Sequence, residues 1–243
     1  MAKTPDPFNL RPGRRVGSSY EVERLIGAGT EGEVYQIRDR ASGIPRAAKF
    51  FYADVKTARA QAGRRARKLE LLRRCPIVLQ YLHREEITIR RQLVVALISD
   101  FCPGQPLQAW IEQHPSGRVH PFIALLILHR LVVGLEQVHA LGQYHSDVHT
   151  ENVLIEPSGV DFKLQLIDFY EWGKPTRYKR SQDILQCVHI LADMLGGRPR
   201  YRDFPPEVKT ICAGLRSDRI LKRFPTLTAL RQHLETFTPQ TVA

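Results

Sequence analysis

The chain has 243 residues, of which 43% are hydrophobic and 25% charged, a composition that excludes disorder over most of its length. Its formal net charge is +11, which favours acidic partners over basic ones. The longest apolar run, FIALLIL at residues 122–128, is too short to cross a bilayer, so no membrane span is predicted.

The first part of the chain is predicted to form a sheet. Residues 1–14 are rich in proline and charge and are predicted to be a flexible leader. YEVERLIGAG then alternates apolar and polar residues, which is typical of a half-buried strand. GEVYQIRDR, the turn ASGIP and RAAKFFY give two further strands. A basic helix over residues 54–74 and two more strands complete a unit of five strands and one helix.

The glycine-rich segment GAGTEGEVY, residues 27–35, has the spacing G-x-G-x-x-G-x-V. Alone, this pattern has three interpretations: a dinucleotide-binding turn, a loop over the phosphates of ATP, or an ordinary glycine turn. A dinucleotide fold needs a helix directly after the glycines, whereas a strand follows them here. The strand order therefore argues against the dinucleotide interpretation.

After a proline- and glycine-containing break near residue 103, the pattern turns helical. LQAWIEQH predicts a short helix, HPFIALLILHRLVVGLEQVHALG a long apolar one, and VLIEP and KLQLIDF two short strands before a helical C-terminal third. We therefore expect an α+β protein of two lobes. The strand-rich lobe spans 15–99, the break spans 100–104, and the helical lobe spans 105–243.

Several polar residues carry the chemical signal. Lys49 lies in the third predicted strand, where its charge either faces water at a sheet edge or points at phosphates beneath the glycine loop. The segment YHSDVHTENVLI contains His145, Asp147 and Asn152 with the spacing H-x-D-x-x-x-x-N, and Asp168 follows at the end of a strand. A carboxylate such as Asp147 can orient a hydroxyl and accept its proton, while Asn152 and Asp168 offer oxygen ligands suited to Mg²⁺.

In this order, the glycine loop, the strand lysine, the H-x-D loop and the Asp-Phe pair resemble the protein kinase superfamily over residues 18–236. The resemblance is to a minimal, bacterial-type Ser/Thr protein kinase. It implies a bilobal fold with a five-stranded antiparallel N-lobe carrying one helix, a hinge at residues 100–104 and a mainly helical C-lobe. It also implies ATP and Mg²⁺ as cofactors, and a buried Asp183 that ties down the catalytic loop.

The resemblance also implies a role for each motif residue. Asp147 would be the catalytic base, Lys49 would pair with the α- and β-phosphates, and Asn152 and Asp168 would hold Mg²⁺. Glu70 would hold Lys49 from the helix. The other implied ATP contacts are Gly27, Gly29, Thr30 and Gly32 in the loop, Val34, Ala47 and Leu154 around adenine, Ser99 as a small gatekeeper, and the backbone of Asp100 and Cys102 at the adenine edge.

The sequence departs from the family pattern at several positions. Ser146 stands where the family has an arginine before the catalytic aspartate, and Tyr170 replaces the glycine of D-F-G. Asp168 and Asp183 are only 15 residues apart, so the activation segment is largely missing. His149 replaces the lysine of the catalytic loop and could still reach the γ-phosphate.

Three functions follow from these observations. The first is a Ser/Thr protein kinase, whose acceptor is a protein that the positive charge predicts to be acidic; nucleic acid is not required. The second is a kinase of a small molecule, lipid or sugar of the aminoglycoside-phosphotransferase type, favoured by His149 and the short activation segment. The third is a pseudokinase that only binds a partner, which the complete catalytic set disfavours.

Two further patterns bear on the surface and the compartment. The run of basic residues between positions 64 and 74 is interpreted as a solvated helix face. No cysteine lies in a C-x-x-C pair, which is typical of free thiols in a reducing compartment. Residues 1–15 lack the apolar core of a signal peptide, so we expect a cytoplasmic protein.

Overall fold

The computed structural model describes residues 6–169 and 173–237. The chain divides into two units, one of residues 1–73 and 79–102 and the other of residues 74–78 and 103–243. Tyr170, which the sequence places in the Asp-Phe motif, lies outside the described residues.

The first unit is built on one antiparallel sheet with the strand order β1-β2-β3-β4-β6-β5. The predicted five strands are confirmed, and a sixth, two-residue strand pairs with the start of the first predicted one. The strands are β1 (Arg15–Val16), β2 (Tyr20–Gly29), β3 (Gly32–Asp39), β4 (Pro45–Phe51), β5 (Tyr81–Ile89) and β6 (Gln92–Asp100).

The two faces of this sheet have different neighbours because side chains alternate along each strand. One face forms a hydrophobic core that includes Tyr35, Ala48 and Phe50. On the other face, Phe51 packs against the predicted helix, α1 (Val55–Leu71). Asp54 caps α1 by accepting hydrogen bonds from the backbone N–H groups of Lys56 and Thr57.

The leader does not behave as predicted over its described part. The N–H of Phe8 donates to Glu33 Oε1 at 2.9 Å, and the N–H of Leu10 donates to the hydroxyl of Tyr35 at 3.1 Å. Leu10 is buried in the sheet core, and Phe8 packs against it. The expectation of a flexible leader is therefore wrong for this segment, because two apolar side chains and a buried carboxylate anchor it.

The second unit is mainly helical, as predicted. Its central helix, α3 (Pro121–Ala140), packs against α4 (Arg177–Met194) and α7 (Leu227–Leu234). The unit also holds a small antiparallel sheet of order β7-β8-β9. Its elements are β7 (Gln105–Pro106), α2 (Leu107–Glu112), α3 (Pro121–Ala140), β8 (Val153–Ser158), β9 (Asp161–Leu166), α4 (Arg177–Met194), α5 (Pro206–Cys212), α6 (Ser217–Arg223), α7 (Leu227–Leu234) and two 3₁₀ helices at Arg198–Asp203 and Ala213–Leu215.

Helix α3 is long and apolar enough to cross a membrane by length and composition alone. Half of its most apolar window is buried in this structure, and the helix packs on α4 and α7. A core helix passes the same test, so α3 is weak evidence for a membrane span.

Candidate active site

A buried aspartate fixes the loop that contains Asp147. Asp183 on α4 is fully buried, and its Oδ1 accepts a hydrogen bond from the N–H of Ser146 at 2.5 Å. Its Oδ2 accepts one from the N–H of His145 at 2.9 Å and lies 2.8 Å from Nε2 of His139 on α3. Ser146 has a φ of 65°, which is uncommon for a residue other than glycine. The predicted role of Asp183 in tying down this loop is confirmed.

His145 orients Asp147 from within the core. It is fully buried, and its Nδ1 accepts a hydrogen bond from the N–H of Asp147 at 3.2 Å. Its Nε2 lies 2.9 Å from the carbonyl oxygen of Ile167, so Nε2 carries the proton and donates it. The ring of Phe169 meets the imidazole edge to face, with centroids 4.3 Å apart. One histidine thus links the loop to the chain that follows β9.

Asp147, His149 and Asn152 lie together in the loop. Nδ2 of Asn152 donates to the carbonyl oxygen of Asp147 at 2.9 Å and lies 3.3 Å from its Oδ2. Oδ1 of Asp147 lies 3.8 Å from Nε2 of His149. The Asp147 side chain is 41% exposed. This carboxylate is therefore oriented by its neighbours in the loop and is still accessible from solvent. That is the arrangement a general base requires.

Asp168 follows β9 beside this loop. The N–H of Ile167 donates to the carbonyl oxygen of Asn152 at 3.0 Å, which joins the two segments that carry the predicted metal ligands. Asp168 has a φ of 57°, and backbone strain of this kind is typical of functional sites. Because the amide nitrogen of Asn152 is engaged with Asp147, its Oδ1 is the atom available to a cation.

The residues present fit a magnesium ion. Within residues 6–169 and 173–237, no group of three His, Cys, Asp or Glu side chains could hold a metal. Mg²⁺ does not need one, because it is commonly held by one or two side-chain oxygens together with substrate phosphates. Asn152 and Asp168 supply oxygens of that kind.

The glycine loop is the hairpin between β2 and β3, with exposed Thr30 and partly buried Glu31 at its turn. A Cβ added to Gly32 would lie 1.8 Å from the carbonyl oxygen of Phe50 on β4, so packing requires this glycine. A Cβ on Gly29 would meet nothing within 4 Å, and one on Gly27 would make only an ordinary contact at 4.0 Å. The fold therefore gives no reason for the first two glycines, which leaves close approach of a ligand as their predicted role.

The predicted nucleotide residues of the sheet share one face. Val34 pairs with Lys49 on the neighbouring strand, and Ala47 pairs with Ser99 on β6. Directly paired antiparallel residues lie on the same side, as do residues two apart along a strand. These four side chains therefore lie on the face opposite the Tyr35 and Phe50 core.

The remaining predicted adenine contacts lie at strand ends. The N–H of Asp100 donates to the carbonyl oxygen of Gln80 at 3.0 Å, and its carboxylate pairs with Arg46 at 2.5 Å. A ligand would therefore have to use the carbonyl group of Asp100. Cys102 is partly exposed. In the second unit, Leu154 is partly buried on β8, where it pairs with Pro106 and Gln165.

The partner predicted for Lys49 is wrong. Nζ of Lys49 lies 3.4 Å from Oε2 of Glu31. Glu70, whose side chain is 59% exposed, pairs with Arg73 at 3.4 Å. The reason is the register of α1, which turns Arg65 toward the sheet and leaves Glu70 in its last, solvent-facing turn.

The interpretation of the basic run between positions 64 and 74 as a solvated helix face holds only in part. Arg65 and Lys68 are 7% and 6% exposed, so the run is not a uniformly solvated face. Nη2 of Arg65 lies 2.5 Å from the same Glu31 oxygen that Lys49 approaches. Sequence reasoning missed Glu31 as a partner. The signal was an acid at the tip of the hairpin whose second strand pairs with the strand of Lys49.

Comparisons with known proteins agree with this geometry. A family model described as the protein kinase domain matches residues 20–208. Serine/threonine-protein kinase PknD of Mycobacterium tuberculosis is 28% identical over 216 residues, which cover 77% of this chain and 32% of that protein. Serine/threonine-protein kinase PkaA of Streptomyces coelicolor is 28% identical over 170 residues, which cover 64% of this chain and 30% of that protein. The chain thus spans about a third of the length of these two relatives.

Among solved structures, the kinase domain of Mycobacterium tuberculosis PknI matches with a TM-score of 0.62, covering 96% of this chain and 99% of that one. The two sequences are 19% identical, so this match supports the fold alone. Because the family model covers well over half of the residues, the chain belongs to the protein kinase family.

Proposed function

We propose that this chain is an ATP- and Mg²⁺-dependent phosphotransferase that transfers the γ-phosphate of ATP to a serine or threonine hydroxyl of a protein. The observation that carries the proposal is the environment of Asp147. Its carboxylate is accessible, while Asn152 and His145 fix its orientation. The relatives PknD and PkaA, which are named as serine/threonine-protein kinases, support the same class of acceptor.

The residues divide the work as the family pattern implies. Asp147 orients the acceptor hydroxyl and accepts its proton, Asn152 and Asp168 hold the metal, and Lys49 pairs with the nucleotide phosphates. When bound, Mg·ATP supplies the phosphoryl group and the divalent charge that offsets the charge of its oxygens. Because the chemistry requires little covalent help from the protein, positioning and electrostatics determine the rate.

The proposal also covers the class of acceptor and the regulation of the kinase. The net charge of +11 favours an acidic protein. Asp183 follows Asp168 by only 15 positions, so we propose a shortened activation segment. Ser146, in place of the usual arginine, offers no cation to a phosphate on that segment.

One observation favours a second candidate, a small-molecule kinase. His149 replaces the lysine of protein kinases and lies 3.8 Å from the Asp147 carboxylate, where it could contact the phosphate or a small acceptor. The two candidates share the phosphoryl-transfer chemistry and differ in the acceptor.

Labelled-ATP transfer tests both candidates. The purified chain is incubated with Mg·[γ-³²P]ATP and with acidic proteins, basic proteins or a panel of small hydroxylated compounds. We expect label on serine or threonine of the acidic proteins and a loss of at least about 100-fold in Asp147→Asn, with ATP binding retained. The control, Asp161→Asn, removes an exposed carboxylate of β9 and should transfer normally. Label only in small molecules would support the second candidate, and full activity of Asp147→Asn would overturn both.

A further inference from the structure

The tip of the glycine loop is tied down by contacts that the ordinary role of such a loop does not require. The carbonyl oxygen of Glu31 accepts a hydrogen bond from the N–H of Tyr52 at 2.9 Å. Its side-chain Oε2 lies 3.4 Å from Nζ of Lys49 and 2.5 Å from Nη2 of Arg65. One residue at the hairpin turn is thus joined through its backbone to the end of β4 and through its carboxylate to a strand and a helix.

Arg65 is the fixed member of this group. It is 7% exposed, and its guanidinium lies over the ring of Phe51 with Cζ 5.3 Å from the centroid. It shares a face of α1 with Ala58 and Ala62, since the spacing i, i+4, i+7 places them on one side. The Arg65 side chain is held by packing as well as by charge.

In the part of the chain that the structure describes, the carboxylate of Glu31 meets two cations. Lys49 and Arg65 approach the same oxygen of Glu31, and their side chains are only 14% and 8% exposed. Without the carboxylate, the two positive charges would repel each other at a site where water screens them little. We then expect Lys49 to shift, because packing holds Arg65 in place.

We propose that Glu31 is the positioning residue that holds Lys49 for the nucleotide phosphates, and that Arg65 anchors Glu31 from α1. This inference rests on the proposed function. The helix contributes a cation where an acid was expected, and the acid comes from the glycine loop instead. The position of the glycine loop and the position of Lys49 are therefore coupled through Glu31.

The test compares Glu31→Gln with Glu70→Gln, a matched removal of an acid that the structure leaves outside this group. We expect Glu31→Gln to lower kcat/KM for ATP by about tenfold or more, since misplacement of a reacting group by about 1 Å can cost more than that. Titration calorimetry of ATP, with and without Mg²⁺, should show weaker binding in Glu31→Gln. Glu70→Gln should match the wild type in both measurements.

Moving the acid from the loop to the helix gives a result that general destabilisation of the protein would not produce. In the double variant Glu31→Gln/Arg65→Glu, the acid is moved to the helix and the buried cation is removed, so ATP affinity and transfer should partly recover. Wild-type kinetics in Glu31→Gln, tighter ATP binding in it, or no recovery in the double variant would overturn the inference. If Glu31→Gln does not fold, Glu31→Asp keeps the charge but shortens its reach, and unchanged affinity and transfer would count against the proposal.

The same measurements separate this inference from the proposed function. A wild-type chain that binds ATP but transfers no phosphate would contradict the proposed function. ATP titration of the Glu31 variants would still decide whether this residue places Lys49.

Discussion

The N–H of Ser146 donates to Oδ1 of Asp183 over 2.5 Å, across 37 residues of sequence. This bond and its neighbour from His145 to Oδ2 hold the segment immediately before Asp147. Ser146 also adopts a left-handed backbone conformation, which the bond helps to offset. The geometry of the proposed base thus depends on a buried charge that never meets the acceptor.

We expect Asp183→Asn to lower the free energy of unfolding by about 2–4 kcal/mol, because an amide has one acceptor oxygen for three neighbouring groups. Urea unfolding measures this loss, and phosphate transfer should fall with it. Asp203→Asn is the control, since this side chain is half exposed in weak pairs with arginines. Equal stability of Asp183→Asn and the wild type would contradict the anchoring role.

Gly32 and Gly29 should respond differently to the same added methyl group. Gly32→Ala forces a Cβ against the carbonyl oxygen of Phe50 and should cost about 1–3 kcal/mol of stability. Gly29→Ala has open space and should fold normally, so any loss there should appear in ATP affinity. Thermal unfolding and ATP titration of both variants check this, and an equally destabilised Gly29→Ala would refute the packing account.

Glu33 should govern whether the leader stays in place. It is 2% exposed and accepts hydrogen bonds from the N–H of Phe8 and the hydroxyls of Tyr35 and Tyr52. The pKa of both tyrosines is raised to about 12, mainly because they are buried and secondly because each donates a hydrogen bond to Glu33. Glu33→Gln should cost about 1–3 kcal/mol and speed hydrogen exchange at Leu10.

The exposed Glu21 on β2 offers a matched control for this change, and Glu21→Gln should leave exchange unchanged. Slow exchange at Leu10 in Glu33→Gln would show that the leader is held by other contacts.

His233 should make stability depend on pH. Burial, and secondarily Arg223, lowers its pKa below 6.5. Its Nε2 has no hydrogen-bond partner within the described residues. The unfolded chain therefore binds a proton more readily than the folded one, so His233 contributes fully above pH 6.5 and progressively less as the pH falls through its lower folded pKa.

The variant His233→Phe, placed between Phe224 and Phe237, should lose stability less steeply between pH 7 and pH 5. Urea unfolding across that range gives the slope for each protein. Val160→Ala, a change at a fully exposed position that removes no titrating group, should keep the wild-type slope. A parallel slope in His233→Phe would show that the histidine titrates alike in both states.

The metal assignment predicts a specific change in Asp168→Asn. Loss of one charged oxygen should raise the Mg²⁺ concentration needed for half-maximal ATP binding by about tenfold, while binding of ATP without metal changes little. Calorimetric titration at several Mg²⁺ concentrations separates the two effects. An unchanged Mg²⁺ requirement would remove Asp168 from the proposed metal site.

Periodic patterns predicted most of the architecture. Alternation along β2 and the long apolar run of α3 are local signals, and both elements formed where expected. The two-residue β1 has no period to detect, so it was missed. The motif spacing predicted which residues would gather around Asp147, and the structure joins His149 and Asn152 to it.

The errors share a physical cause, because each depends on contacts between distant residues. Glu70 was chosen as the only acid between Asp54 and Glu85, but the face of α1 that meets the sheet is decided by Ala58 and Ala62 packing on it. The leader looked unstructured by composition, while Glu33 lies 25 residues from the amide that it binds. A short stretch of sequence shows neither the packing of α1 on the sheet nor the hydrogen bond between Phe8 and Glu33.

The anchored leader separates two kinds of boundary that are usually taken to coincide. The family match begins at residue 20, but among the described residues packing already involves Phe8, whose ring lies 5.1 Å from that of Tyr52. A recombinant fragment trimmed to the family match would uncover Tyr35 and Phe50 and remove one donor from a buried carboxylate. For this chain, the limit of recognisable homology is therefore not the limit of the cooperative folding unit, and expression work should keep the leader.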